Sequence, residues 1–173
     1  MKHNSKLLLV LLLVVGSIIS CKKEENKIYL EGGTQPVLKA SVSGSIPLQF
    51  STENSQAIKL SWTNPDFKFT TGVSSQDVTY TIQIDTVGAN FSSVNKVEKD
   101  ISKALEYAFT QKELNDFLLN SFNLTPAKLY TIELRVVATI SGKAAPLPSN
   151  VFQFTVNGAA FPLIVATTLN SIV

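Results

Sequence analysis

The 173-residue chain carries 15 Lys and Arg, 13 Asp and Glu, one histidine and one cysteine. Its first 20 residues hold two of the lysines, the histidine and no acidic residue, so the rest of the chain has no formal net charge. A neutral chain with one arginine lacks the basic surface that nucleic acids require, which excludes that class of partner. A lone cysteine forms no internal disulfide, so the stability of the single domain must come from apolar burial.

The N-terminal stretch, residues 1–20, has the three parts of a signal peptide. Lys2 and Lys6 form a basic start, residues 7–15 form an apolar run, and Ser20 is the small residue before a cleavage site. A permanent transmembrane helix is the alternative, although a bilayer span needs about 20 apolar residues. We therefore expect residues 1–20 to be a signal peptide that is removed on export.

Cys21 directly follows the expected cleavage site. The preceding Ile18, Ile19 and Ser20 resemble the bacterial lipobox, with an aliphatic residue three positions before the cysteine and a small residue directly before it. The pattern predicts lipid attachment at Cys21, where several acyl chains anchor a protein stably and one chain binds only marginally. The alternative is a free thiol near a disordered terminus.

Residues 21–35 are polar and charged, and they contain a pair of glycines. A segment with few apolar residues cannot offset the entropy of ordering, so this stretch is predicted to be a flexible tether. The Lys23-Glu24-Glu25 triplet resembles the export signal that sends some bacterial lipoproteins to the outer face of the outer membrane. We expect surface exposure on this basis; an ordinary solvated linker is the alternative.

Five later segments alternate apolar and polar residues with a period of two, which is typical of strands with one buried face. Their apolar positions are Leu38, Ala40 and Val42; Ile58, Leu60 and Trp62; Val78, Tyr80, Ile82 and Ile84; Tyr130, Ile132, Leu134, Val136, Ala138 and Ile140; and Phe152, Phe154 and Val156. Weaker strands are predicted around residues 97–101 and 105–109. Turn residues separate the segments.

One helix is predicted between these strands. Thr110 and Glu113 match a capping box, in which the threonine hydroxyl bonds the backbone N–H three residues on and the glutamate reaches back. Leu114, Phe117 and Leu118 follow at helical spacing.

The order of elements predicts an all-β fold, an immunoglobulin or fibronectin type III-like sandwich of about seven strands with one short helix before the penultimate strand. We place this domain at residues 36–158, with Trp62 between the two sheets. Residues 159–173 are expected to be a short apolar C-terminal tail.

The sequence has few of the residue types that catalysis and metal binding require. Without its leader the chain has no histidine, which excludes histidine-based catalysis and nearly all zinc sites, and its aspartates show no convergent spacing. We therefore expect no enzymatic activity, cofactor or metal. Phe67 and Phe69 follow a turn and are the candidate aromatics for stacking on a sugar, although a local hydrophobic lid is the alternative. Tyr29 in the tether is the other loosely placed aromatic.

Several motifs in the right order resemble one known family. They are the Leu-Ser-Trp-Thr-Asn-Pro-Asp-Phe turn at 60–67, the strand at 78–85, the segment Ala-Asn-Phe at 89–91, the helix start at 109–115 and the strand at 130–138. Together they resemble the N-terminal immunoglobulin-like domain of the SusE-like outer-membrane lipoproteins.

The resemblance implies a component of a polysaccharide-uptake system that binds a starch-like glycan. Such a protein is held in the outer membrane by its lipid anchor, beside a TonB-dependent transporter and partner glycan-binding lipoproteins. In that family the sugar contacts come from further sandwich modules, and only 15 residues follow Gly158 here. We therefore expect a structural or interaction module; the alternative is a direct carbohydrate-binding protein that uses its loop aromatics.

Overall fold

The computed structural model describes residues 27–125, 128–141 and 144–157. These residues form twelve strands, one α-helix (α1, Gln111–Phe122) and a single 3-10 turn (Phe50–Thr52). The strands are β1 (Leu30–Gly32), β2 (Leu38–Ala40), β3 (Gly44–Pro47), β4 (Gln56–Trp62), β5 (Lys68–Phe69), β6 (Gly72–Val73), β7 (Val78–Thr86), β8 (Val97–Ser102), β9 (Glu106–Thr110), β10 (Leu129–Ile140), β11 (Leu147–Pro148) and β12 (Phe152–Asn157). The predicted signal peptide, Cys21 and the predicted tail at 159–173 lie outside the described residues.

The strands are arranged in three sheets. The largest has the order β3-β12-β10-β7-β8, with β11 paired to β10, and all of its pairs are antiparallel except β3 with β12. The second sheet has the order β2-β4-β9, and the third is the short sheet β1-β5-β6. The two larger sheets share one apolar core, so the protein is an all-β sandwich, as the alternating pattern predicts.

The residues of the core are those that the alternation of apolar and polar residues along the strands places on the inward face. Alternate residues of β4, β7 and β10 point inward and are almost completely buried; they include Ile58, Leu60, Ile82, Ile84, Ile132, Leu134 and Val136. Trp62 at the end of β4 lies against Tyr80 of β7, with 5.5 Å between the ring centroids. This contact joins the two sheets and confirms the predicted place of Trp62.

Helix α1 begins at the predicted cap. The Thr110 hydroxyl accepts a hydrogen bond from the backbone N–H of Glu113 at 3.1 Å, and Leu114 and Leu118 are completely buried. Only this half of the capping box forms, because the Glu113 carboxylate binds Tyr107 and Lys99 instead of reaching back. Within the described residues no helix is long and apolar enough to span a membrane.

Candidate interaction surface at the short sheet

The short sheet is built from residues whose pattern gave no strand signal. Leu30 of β1 pairs with Phe69 of β5, and Phe69 pairs in turn with Gly72 of β6. Tyr29 and Thr70 exchange two hydrogen bonds at 2.9 and 3.3 Å. Backbone pairing, rather than burial of an apolar face, therefore holds these short strands together.

Residues 27–35 are the described part of the segment predicted to be a tether. Part of this segment forms strand β1. Beyond the strand, Thr34 donates both its backbone N–H and its hydroxyl to the carbonyl of Pro65, at 2.7 and 3.0 Å. These bonds fix the chain from Tyr29 to Thr34 along residues 65–70. Five residues, 22–26, lie between Cys21 and Lys27 in the sequence.

The short sheet lies at one end of the sandwich, and the chain leaves β12 at the other. Ile140 pairs with Val78, close in sequence to β6, whereas Leu129 at the opposite end of β10 pairs with Asn157, the last residue of β12. At about 3.3 Å per residue, the length of β10 separates these two ends by roughly 35 Å.

A polar cleft of about 320 Å³ opens on one side of the short sheet, and its lining residues are Glu31, Gly32, Gly33, Thr34, Asp66 and Lys68. Two carboxylates, one ammonium group and a hydroxyl offer hydrogen bonds to a small ligand. The volume is at the lower end of the range of about 300–1,000 Å³ for small-molecule sites.

Burial raises the pKa of Tyr80, and the neighbouring carboxylate of Asp66 raises it further.

A second recess, of about 190 Å³, is lined by residues of different character. Ile28, Phe69 and Val73 give it apolar walls, and the remaining lining residues are Thr71, Ser74, Ser75 and Gln76. The side chains of Ile28 and Val73 are each 63% exposed, and that of Tyr29 is 59% exposed. The two recesses therefore give the short sheet one region with charged side chains and one region whose lining is uncharged, with both apolar and hydroxyl or amide side chains.

The two phenylalanines predicted to stack on a sugar, Phe67 and Phe69, are both at least partly buried. Phe67 is only 3% exposed and belongs to the core, so the expectation of an exposed stacking ring at this position is wrong. Its ring is covered because the chain at Gly33 packs over it. Phe69 is half-buried against the core and lines the second, uncharged recess.

Tyr29 is the aromatic side chain that the short sheet does expose. The sequence predicts that Tyr29 lies in a flexible segment. Its hydrogen-bond partner Thr70, directly after β5, could not be inferred from a local pattern. Among the described residues, no group of three or more His, Cys, Asp and Glu side chains could hold a metal ion. The side chains that line the two recesses at this end of the sandwich offer hydrogen bonds and apolar contact.

The described residues thus define an all-β sandwich domain with a short sheet and two recesses at one end. The family model described as SusE outer membrane protein matches residues 22–137, more than half of the chain. The chain belongs to the SusE outer membrane protein family, which confirms the resemblance carried by its motifs and places the protein in the outer membrane. No curated protein matches the sequence.

Proposed function

We propose that the protein is a lipid-anchored lipoprotein on the cell surface whose sandwich serves as a structural or interaction module of a polysaccharide-uptake system. Membership of the SusE outer membrane protein family supports the membrane location. The observation that carries the structural role is the position of the two chain ends. The described chain enters at the short sheet and leaves at the far end of β12.

This geometry suits a spacer. Nine Cα–Cα steps of about 3.8 Å separate Cys21 from Leu30, the first residue of β1, so an acylated Cys21 keeps the start of the short sheet within about 34 Å of the lipid surface. The β12 end then lies farther from the membrane by up to the length of the sandwich. A TonB-dependent transporter or a partner glycan-binding lipoprotein could contact that end, or the flanks of the sandwich, above the membrane.

The proposed role is non-enzymatic. The only histidine of the sequence is His3, in the predicted signal peptide, and the only cysteine is the proposed acylation site. Asp85 is a buried carboxylate, but its oxygens accept hydrogen bonds from Thr86 and Ser93 of its own loop. It is therefore a structural group in this fold.

Replacement of Cys21 tests the anchor. Cys21→Ala should move the protein from the membrane fraction to the soluble or secreted fraction, while its circular dichroism spectrum and melting temperature match those of the native sandwich. Ser17→Ala, in the leader but outside the four-residue lipobox pattern, is the matched control and should remain in the membrane. Retention of Cys21→Ala in the membrane would overturn the anchor.

Surface display needs a separate measurement, because an inward-facing lipoprotein would also pass the fractionation test. Protease added to intact cells should degrade the native protein. Replacement of Lys23, Glu24 and Glu25 by alanine should protect it if the triplet is an export signal. Protection of the native protein, with cleavage only after the cells are broken, would contradict surface exposure.

Direct glycan binding is the second candidate function, and the polar cleft is the observation that favours it. Glu31, Asp66 and Lys68 offer hydrogen-bonding groups, and Tyr29, two residues before Glu31, is an exposed ring. Sugar recognition combines polar contacts with aromatic surface, and this region supplies both. Phe67 is buried, so it contributes to such a site only by supporting the cleft.

Calorimetric titration with starch-like polysaccharides tests this second function. Binding that is weakened by Tyr29→Ala and by Asp66→Asn, but not by Tyr107→Phe, whose hydroxyl bonds Glu113 and does not line the cleft, would support a site at the cleft. Heats that stay flat over the whole glycan panel would leave only the structural role.

A further inference from the structure

Three exposed apolar or aromatic side chains lie together at the short sheet. Ile28 and Val73 line the same recess, and Tyr29 directly follows Ile28 and bonds Thr70, the residue before Thr71 of the recess lining. Each of the three is more than half exposed. Single exposed apolar residues are ordinary, but a contiguous group of them marks a contact surface. We name Ile28, Tyr29 and Val73 the β1 patch.

We propose that the β1 patch rests in the headgroup region of the lipid bilayer, immediately beside the lipid anchor, and thereby fixes the orientation of the sandwich. This inference rests on the proposed acylation of Cys21. It adds a second point of membrane contact to the anchor and assigns a lipid surface, rather than a protein, as the occupant of the patch.

The length of chain before the patch is the first argument. Only residues 22–26 separate Cys21 from Lys27, and Ile28 follows directly. Seven Cα–Cα steps of 3.8 Å allow at most about 27 Å between Cys21 and Ile28, and any bend in the chain shortens this distance. The patch is therefore always within reach of the bilayer in which the acyl chains are buried.

The chemistry of the patch is the second argument. The described residues that line its recess include no charged side chain, whereas Glu31 and Asp66 line the separate polar cleft. Tyrosine is enriched at membrane interfaces, because its ring is apolar and its hydroxyl remains in contact with water. Lys27, directly before Ile28, is exposed, and long lysine side chains can reach from apolar surface to polar headgroups.

A patch of three side chains would bind lipid weakly if the protein were free in solution. The anchor changes this, because a linker of only five residues gives the second contact a high effective concentration, on the order of millimolar for short linkers. Weak insertion is then sufficient to hold the sandwich in one orientation. The end of β12 would point away from the membrane, where other proteins of the outer membrane can reach it.

Depth-dependent fluorescence quenching tests the proposal on the full-length acylated protein. The vesicles contain phosphatidylethanolamine, phosphatidylglycerol and a doxyl-labelled phosphatidylcholine as the quencher. An environment-sensitive dye is attached to Val73→Cys, since the acylated thiol of Cys21 does not react. The matched control is Val94→Cys, because Val94 is fully exposed in the connection from β7 to β8, at the opposite end of the sandwich.

We expect lipid to quench the dye at position 73 several-fold more strongly than the dye at position 94. Adding Ile28→Ser and Tyr29→Ser should reduce quenching at position 73 to the level of the control. Both residues are exposed, so these changes should leave the fold intact, as circular dichroism will check.

The possible failures are distinguishable. If the protein floats with the vesicles but both positions are quenched equally, the anchor stands and the lipid contact of the patch is overturned. If the protein does not float with the vesicles, the anchor itself is overturned. If position 73 is shielded only in native outer membranes that contain other proteins, the occupant is a protein, which overturns the lipid assignment.

Discussion

Glu133 of β10 lies directly opposite Asp85 of β7, and both side chains are buried on the outer face of the largest sheet. The Asp85 carboxylate accepts hydrogen bonds from the backbone of Thr86 and from the backbone and hydroxyl of Ser93, at 2.6–3.2 Å. Glu133 differs, because its Oε1 has no hydrogen-bond partner among the described residues. Arg135, on the same face of β10, bonds Gln83 instead.

Neutralising Glu133 should stabilise the fold. Like charges that face each other across neighbouring strands are unfavourable, so Glu133→Gln is expected to raise the free energy of unfolding by about 1 kcal/mol. Urea denaturation at neutral pH measures the change. Glu31→Gln, at an exposed position, is the control and should stay within about 0.5 kcal/mol of the native value. A loss of stability in Glu133→Gln would mean that the buried carboxylate is compensated by its surroundings.

The long elements of the fold are predictable from local pattern because each buries one face. Strands β4, β7, β10 and β12 all lie where the apolar residues alternate, and α1 begins at the predicted threonine cap. The strands of the short sheet have two or three residues each, which is too few to show a period. They form because backbone groups far apart in the sequence bond to each other, and a local sequence pattern does not show which distant segments will pair.

The candidate surface shows the same limit. Phe67 follows a turn, which suggested exposure, but it is buried by Gly33, a residue 34 positions earlier in the chain. The burial of Asp85 also depends on a loop that folds back over the sheet, so that Ser93 reaches its carboxylate. Such contacts depend on tertiary structure, whereas the signals for Cys21 are contained in a few adjacent residues.

Gly33 should tolerate no side chain. A Cβ atom at this position would lie 3.0 Å from Leu147 Cδ1, from Phe67 Cδ1 and from the carbonyl oxygen of Pro65. The two side chains could move, but the backbone carbonyl also accepts hydrogen bonds from Thr34 and is held in place. We expect Gly33→Ala to lower the free energy of unfolding by about 1–3 kcal/mol, as overpacking does.

Hydrogen exchange locates this effect. The backbone amides of Thr34 and Thr70, which bond across the short sheet, should lose protection in Gly33→Ala, while amides in the middle of β10 keep theirs relative to global stability. Glu31→Ala is the neighbouring control and should leave both amides protected. Unchanged protection of Thr34 in Gly33→Ala would show that the contact with Pro65 relaxes without cost.

Replacing Phe67 and replacing Phe69 should have clearly different effects on the stability of the fold. Removing a buried phenylalanine typically costs about 3–5 kcal/mol, so Phe67→Ala is expected to lower the melting temperature strongly. Phe69 is only half-buried, and Phe69→Ala should cost markedly less. Thermal unfolding followed by circular dichroism measures both. An unchanged melting temperature in Phe67→Ala would contradict its place in the core and restore its candidacy as a sugar-stacking ring.

A network between β8, β9 and α1 makes the sandwich sensitive to alkaline pH. Tyr107 donates its hydroxyl hydrogen to Glu113 at 2.7 Å, and Lys99 forms an ion pair with Glu113 at 3.1 Å. Burial raises the pKa of Tyr107, and its bond to Glu113 raises it further. Burial acts to lower the pKa of Lys99, but its interactions with Tyr107 and Glu113 outweigh this effect and the pKa is raised.

Both folded-state pKa values therefore lie above the unfolded values of about 10 for tyrosine and 10.4 for lysine. Above pH 10 the unfolded chain releases these protons before the folded protein does, so the free energy of unfolding falls as the pH rises. The contribution is complete below about pH 10 and is lost through the folded pKa values. The half-buried Tyr130 acts in the opposite direction, because its hydrogen bond with Thr125 lowers its pKa.

Tyr107→Phe isolates the network from the other tyrosines. We expect this variant to lose about 1 kcal/mol at pH 8, since it removes one hydrogen bond to a carboxylate that remains paired with Lys99. Its stability should then decline less steeply between pH 9.5 and pH 11 than that of the native protein. Urea denaturation at several pH values measures both effects, and Tyr29→Phe, at an exposed position, is the control. If the two variants lose stability in parallel with the native protein, Tyr107 does not carry the alkaline transition.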